Sequence, residues 1–560
     1  MARLALPIDR LLPRYDVIVV GSGYGGGVAA SRLARAGKRV CVIERGREVL
    51  TGEFPARFPE MRNEMRVTGR SASFGKATAL FDVRLGEDMH VLVANGLGGG
   101  SLVNAGVALR PDPRVFRDGA WPGQIVQDGL LDEGYARAAR WLRPSRLARA
   151  HEMAKYRALV ASGEALGRIP VNPPTVVSYE AGVNAAGISQ PACTLCGDCC
   201  AGCNVGAKNT VALTFLPDAV RHGAHVFTEL RVDHVGKAAG GGWQVSAAPV
   251  DGRRTDTPLV IEAPLVVLAA GTLGSTEILL RSRERGLALS DRLGHRFSAN
   301  GDIIAFGYGA KLPVNAIGVG HPAKIPGYEV GAAVSGQIDI EDSADLDNEM
   351  HIQEGALPSA LAPILPVMFV PNGRLVGALQ ALVSGVYKGP LAGLQTFFAV
   401  SHDSAAGRFG LEADRLVLSW PGAKDEPVYR RLDAALSALV AKAGGSYVKN
   451  PLAGSVMGHQ PATAHPLGGC GMGRDRSEGT VDHKGRVLDA RPGAGSTDVH
   501  AGLYVIDGSI VPRSLGVNPL LTITALAERS LIHMGRDLGF AFDDAPAQAG
   551  PLLSPQSPAA

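Results

Sequence analysis

The chain of 560 residues has no stretch of 18 unbroken apolar residues, so no membrane-spanning helix is expected. An excess of one charge sign is also lacking. Lys and Arg number 56 against 53 Asp and Glu, a net charge of +3, and the basic residues form no long run. A nucleic-acid partner therefore has no electrostatic footing. The first residues, MARLALPIDRLLPRYD, lack a secretory apolar core, because Pro7, Asp9 and Arg10 interrupt it. The expected setting is the cytoplasm, where stable disulfides are uncommon. Cysteine is scarce at seven residues, yet five of them fall between 193 and 203. The segment 542–560 is rich in Pro, Ala and Ser and is expected to be disordered.

Glycine is the opposite case. Its count of 72 is about twice the usual share of ~7%. Many backbone positions must take left-handed conformations or approach a ligand closely. Residues 15–46 read YDVIVVGSGYGGGVAASRLARAGKRVCVIERG. Asp16–Val20 is an apolar run of the kind that forms a parallel strand covered on both faces. Gly21, Gly23 and Gly26 follow as G-x-G-x-x-G. A helix pattern comes next, with Ala30, Leu33 and Ala34 inward, and then a second strand, Arg39–Ile43, ending at Glu44. Such glycines let the backbone reach a pyrophosphate lying on a helix N-terminus. Glu44 falls where a carboxylate binds a ribose hydroxyl, and its charge would repel a 2′-phosphate. FAD and NAD both remain open at this point.

Four later segments carry a resemblance. They are NGLGGGSLVNAGV (95–107), LVVLAAGTLGSTEILLRSR (265–283), ATAHPLGGCGMG (462–473) and LYVIDGSIVPRSLGVNPLLTITALAER (503–529). With the N-terminal motif, in this order, they resemble the glucose–methanol–choline (GMC) oxidoreductases, and most of all the cholesterol oxidase-like branch. The resemblance implies an α/β fold: a discontinuous Rossmann-like FAD-binding domain and a second, α+β substrate domain. The expected division gives residues 13–120, 205–300 and 462–541 to the FAD domain. Residues 121–204 become a cap with the cysteine-rich loop, and 301–461 the substrate domain. The resemblance also implies that FAD is held by Gly96, Asn104, Val232, Ala270, Gly271, Asp507, Gly508, Pro519 and Leu520. Asn95 stands where some family members carry a histidine bonded to the flavin, so non-covalent FAD is expected.

Oxidising an alcohol requires removal of a hydroxyl proton and transfer of a hydride. By the same resemblance, His465 is the imidazole that takes the proton and Asn518 the amide that fixes the substrate oxygen. His459 is a minor candidate for the first role, and His402 is expected to be structural. Glu354 is the candidate for a carboxylate base over a steroid ring, against the alternative of an ordinary loop carboxylate. The substrate expected is a hydrophobic alcohol, sterol-like or long-chain, with oxygen or a redox carrier as electron acceptor. Two rival readings stay open: a polar, sugar-type alcohol, and a non-catalytic flavin electron carrier. Residues 355–400 are strongly apolar but broken by Pro358, Pro363, Pro366 and Pro371. They read either as buried core or as a substrate lid that touches a membrane surface.

Cys193, Cys196, Cys199 and Cys203 follow C-x-x-C-x-x-C-x-x-x-C, the spacing of a bacterial ferredoxin loop. An iron–sulfur cluster (4Fe-4S or 3Fe-4S) and a metal-free structural loop are both open, with Cys470 as another source of a fourth thiolate. The proline that commonly follows such a loop is replaced by Asn204. Zinc sites usually draw on two separated ligand pairs, a spacing this loop lacks.

Overall fold

The structure is a computed structural model that describes residues 2–70, 72–250, 259–369, 385–449 and 460–547. The glycine-rich motif opens a six-stranded sheet. Its strands are β1 (Val17–Val20), β2 (Val40–Ile43), β3 (His225–Phe227), β4 (Leu265–Leu268), β5 (Arg486–Leu488) and β6 (Val499–Val505), in the order β5-β6-β4-β1-β2-β3. All neighbours run parallel except β5 and β6. Every residue of β1, β2 and β4 is buried, as expected of strands covered by helices on both faces. Helix α1 (Tyr24–Arg35) leaves β1 directly, α2 (Gly271–Glu284) follows β4, and α3 (Leu520–Leu538) follows the last strand. Ala30, Leu33 and Ala34 of α1 are all buried.

The chain winds from β1 outward to β2 and β3, then returns to the other side of β1 as β4. The strand ends on either side of that reversal form the crevice in which doubly wound sheets bind ligands. One buried ion pair fastens the two helices beside it. Arg32 of α1 and Glu528 of α3 are both fully buried, and Arg32 Nε donates to both Glu528 oxygens at 3.1 Å.

Two further five-stranded sheets stand over the crevice. The first pairs Met65–Thr68, Ser73–Phe74, Phe81–Leu85, His90–Ala94 and Ala462–Thr463. The second pairs Gln337–Ile340, Met350–Gly355, Gln395–Ser401, Ile303–Tyr308 and Ser446–Lys449, with the helix Pro427–Lys442 packed on it. The prolines after residue 355 have their expected effect: Ser359–Ile364 is a 3-10 helix and Leu365–Met368 a single α-turn. The described part of this stretch packs into the core on one side and lines a cavity on the other. Leu365 and Phe369 pack with Phe306 and Tyr308, while Leu357, Leu361 and Met368 face the cavity described below. Pro371 lies outside the described residues. Among the described residues no helix is long and apolar enough to cross a membrane.

Candidate active site

A cavity of about 1180 Å³ runs from the strand ends of the six-stranded sheet to the two upper sheets. The three motif glycines meet it differently. Gly21 has φ +93°, and a Cβ there would lie 2.3 Å from the Ala269 carbonyl oxygen. A Cβ on Gly26 would lie 2.0 Å from the Gly21 oxygen, so this glycine serves the packing of α1 on β1 and does not line the cavity. Gly23 lines the cavity, and a Cβ on it would meet nothing within 4 Å. The space in front of Gly23 is thus open to a ligand, at the positive end of α1.

Most of the other expected cofactor contacts lie on this wall: Glu44, Asn104, Val232, Ala270, Gly271, Asp507, Gly508, Pro519 and Leu520. Gly96 does not. It is packed against the Gly46–Arg47 backbone, where a Cβ on Gly46 would come within 2.3 Å of Gly96 nitrogen, and Gly99 and Gly100 line the cavity in its place. Glu44 is buried and already accepts from Ser22 Oγ at 2.6 Å and Gly46 N at 2.8 Å; burial pushes its pKa up. Asp507 ties two strand ends together, accepting from Gly271 N at 2.9 Å and Ser509 N at 2.8 Å.

Two observations test whether the wall fits FAD. The cradle at Gly23 is open, and Asn104 Oδ1 is buried with no hydrogen-bond partner among the described residues. Asn104 Nδ2 donates to Tyr24 Oη at 2.8 Å, which leaves the phenol proton free to donate into the cavity. An orphan acceptor and a free donor beside a glycine cradle suit the polar edge and pyrophosphate of a flavin dinucleotide. Tyr24 had no signal in the sequence beyond its place inside the glycine motif. Asn95 is fully engaged: Nδ2 donates to Ala77 O and Ala79 O at 3.0 Å, and Oδ1 accepts from Arg45 Nε at 2.9 Å.

The structure brings His465 and Asn518 to the same cavity. Each has a buried partner that the sequence reading missed. His465 Nδ1 lies 2.7 Å from Asp302 Oδ1. Asn518 and Gln353 face each other as paired amides, with Gln353 Nε2 donating to Asn518 Oδ1 at 2.6 Å and Asn518 Nδ2 donating back at 3.3 Å. Residues 298–302, SANGD, hold both arms. Asn300, in the left-handed region at φ +56°, donates to Val517 O at 2.9 Å and accepts from Leu515 N at 2.8 Å. Tyr429 also lines the cavity, and its hydroxyl is buried without a partner among the described residues.

Glu354 is not in the cavity. Its neighbour Gln353 is, and successive residues of a strand point to opposite faces. Glu354 turns away into a fully buried ion pair, where Lys155 Nζ donates to both its oxygens at 2.8 and 2.6 Å and Ser335 N donates to Oε1 at 2.7 Å. Burial pushes the carboxyl up to about 7 and the Lys155 ammonium down. A carboxylate so engaged cannot serve as a base over the substrate. His402 is buried against Gly516 and Ser514, as a structural histidine would be; burial lowers its pKa to about 3. His459 lies outside the described residues.

The cysteine loop also departs from the cluster expectation. All seven cysteines are free. Among the described residues the metal-ligating side chains whose ligand atoms converge within 4.8 Å are Asp128, His483 and His533, and Cys193, Cys196, Cys199 and Cys203 do not so converge. Burial pushes the thiols of Cys193, Cys196 and Cys199 up. Cys470 is buried against Thr276, where burial pushes its thiol up to about 12. What the loop does is brace the wall. Lys208 Nζ, buried, donates to Cys199 O at 3.0 Å and to Leu102 O and Asn104 O at 2.9 Å, which fixes the backbone of the Asn104 segment. Cys200, outside the motif, lines the cavity.

Comparison with known proteins gives the family and the fold. Two family models described as GMC oxidoreductase match the chain, over residues 15–299 and 452–527. A cholesterol oxidase of Acinetobacter baumannii is 28% identical over 563 residues, covering 93% of this chain and 94% of that one. A long-chain-alcohol oxidase of Arabidopsis thaliana is 27% identical over 92% of this chain and 66% of its own. Among solved structures, pyridoxine 4-oxidase from Mesorbium loti superposes with a TM-score of 0.56 at 18% identity, covering 93% of this chain and 99% of that one. A fungal aryl-alcohol oxidase gives 0.57 at 15%, covering 94% and 100%.

Proposed function

Because the chain belongs to the GMC oxidoreductases, a family of FAD-dependent alcohol oxidoreductases, we propose that it oxidises the CH–OH group of an apolar alcohol, sterol-like or long-chain, with its FAD held non-covalently. FAD, when bound, supplies the hydride acceptor. The chain supplies the rest. His465 accepts the hydroxyl proton, and Asn518, held by Gln353, orients the alcohol oxygen. Gly21, Gly23, Asn104, Asp507 and the start of α3 hold the cofactor, and Asn95, with all its polar atoms engaged, makes no bond to it.

The observation that carries the substrate class is the apolar part of the cavity wall. Val83, Val93, Ile304, Phe306, Leu361 and Phe398 line it, and an apolar chain or ring system gains about 25 cal/mol for each Å² it buries there. This wall supports an apolar over a sugar-type substrate. The named activities of the cholesterol and long-chain-alcohol oxidases support the same choice and favour oxygen as acceptor. The two paired polar arms support an enzyme over an electron carrier. A cytoplasmic setting belongs to the same proposal, and peripheral membrane contact would follow from delivery of a water-insoluble substrate.

The test is a stopped-flow panel. Sterols and long-chain primary alcohols should bleach the flavin at least tenfold faster, at equal concentration, than glucose or glycerol. Faster bleaching by the polar alcohols would refute the substrate class. Acid precipitation should release all flavin into the supernatant; yellow colour in the pellet would refute non-covalent binding.

A further inference from the structure

The hydrogen bonds around Asp302 are unequal on its two oxygens. Asp302 is 6% exposed. Its Oδ2 accepts from the backbone N–H of Ala464 at 3.0 Å and of His465 at 3.1 Å, and from Thr463 Oγ1 at 2.8 Å. Its Oδ1 faces His465 Nδ1 at 2.7 Å. Among the described residues Nε2 makes no hydrogen bond, and the ring lines the cavity. We propose that Asp302 is a positioning residue that fixes His465 in the tautomer with its proton on Nδ1, leaving the Nε2 lone pair to receive the proton of the alcohol.

The argument needs only the inventory of donors. A carboxylate oxygen can only accept, so the ring nitrogen facing Oδ1 must carry the hydrogen. The other nitrogen is then an acceptor, as proton abstraction requires. When the alcohol O–H bond breaks and Nε2–H forms, the ring becomes an imidazolium, whose charge the carboxylate stabilises at hydrogen-bond distance. Oδ1 also holds the ring plane, so the lone pair keeps its direction between turnovers. This inference rests on the proposed alcohol oxidation for the identity of the proton donor, but not for the tautomer.

Asp302→Asn is a test with a forced outcome. The two backbone N–H groups at Oδ2 cannot accept or rotate away, so the amide oxygen must take that place. The amide NH₂ then faces His465 Nδ1, which has to become the acceptor, and the ring proton moves to Nε2. The new side chain is isosteric and keeps its backbone bonds, yet the histidine offers the wrong nitrogen to the alcohol.

The experiment uses FAD-loaded protein labelled with ¹⁵N-histidine, with the His465 signals assigned by their loss in His465→Gln. Wild type should show a protonated Nδ1 and an unprotonated Nε2; Asp302→Asn should show the reverse. In stopped flow, the variant should lose reduction by a long-chain alcohol on the order of 100- to 10,000-fold, while reduction by dithionite stays at the wild-type rate. A protonated Nε2 in the wild type overturns the proposal, and this holds even if the variant does not fold. So does an unchanged tautomer in Asp302→Asn, or wild-type reduction by the alcohol. If no alcohol reduces the wild-type flavin, the proposed function fails, and the tautomer measurement still decides the role of Asp302.

Discussion

The glycine motif gives two separable predictions from three neighbouring positions, and Gly23 is the informative one. Its φ of −68° is open to any residue, and an added Cβ meets no atom within 4 Å. Gly23→Ala and Gly23→Val should therefore fold, keep the α1 amides and place carbon only into the space meant for the pyrophosphate. Inserting one to three carbons into a fitted contact costs about 1–3 kcal/mol. At 1.4 kcal/mol per tenfold, FAD should bind about 5- to 150-fold more weakly, with valine at the upper end. Gly21→Ala and Gly26→Ala should behave otherwise, because the added carbon would meet backbone oxygen at 2.3 Å and 2.0 Å. These two should yield little folded protein with or without FAD. The assay is titration of apoprotein with FAD, followed by flavin fluorescence, alongside thermal melts of each apoprotein. A Gly23→Val apoprotein that binds FAD as tightly as wild type would refute the reasoning. So would one that melts as early as the Gly21 variant.

Three other outcomes follow from the site. Gln353→Leu leaves the buried Asn518 amide without its partner, at a cost of about 1–3 kcal/mol; alcohol reduction of the flavin should slow about 5- to 150-fold with FAD content unchanged, as read by stopped flow. Lys155→Met strands the Glu354 carboxylate in the core and should destabilise the fold by about 3–5 kcal/mol, whereas Lys155→Met/Glu354→Gln should recover most of that loss. Denaturant titrations of both measure it, and since neither residue lines the cavity the double variant should keep its alcohol oxidation. Thiol titration in denaturant should count seven reactive cysteines, the number in the chain, and Cys196→Ser should keep both FAD and activity. Stoichiometric iron in anaerobically purified protein would overturn the structural account of that loop.

The sequence by itself was enough for the features in which one residue type answers a local demand. Buried apolar runs ending in glycine announced β1, β4 and β6, because a strand covered on both faces has no use for polar residues. The glycine motif between two strand patterns announced the dinucleotide crevice, and the resemblance of the ordered motifs to the GMC oxidoreductases pointed to His465 and Asn518, which the structure brings to one cavity. Tertiary structure decided whatever depended on strand phase or on distant partners. Gln353 and Glu354 are adjacent in sequence, and only the register of Met350–Gly355 against its neighbours sends the first to Asn518 and the second to Lys155. Asp302 lies 163 residues from His465, and nothing local marks it apart from other acids. The cysteine spacing matched a cluster loop, but a ligand set is defined by where the sulfurs converge, and spacing does not fix that. Local chemistry is written in the order of residues, whereas pairing across the core is set by which faces the packed sheets turn toward one another.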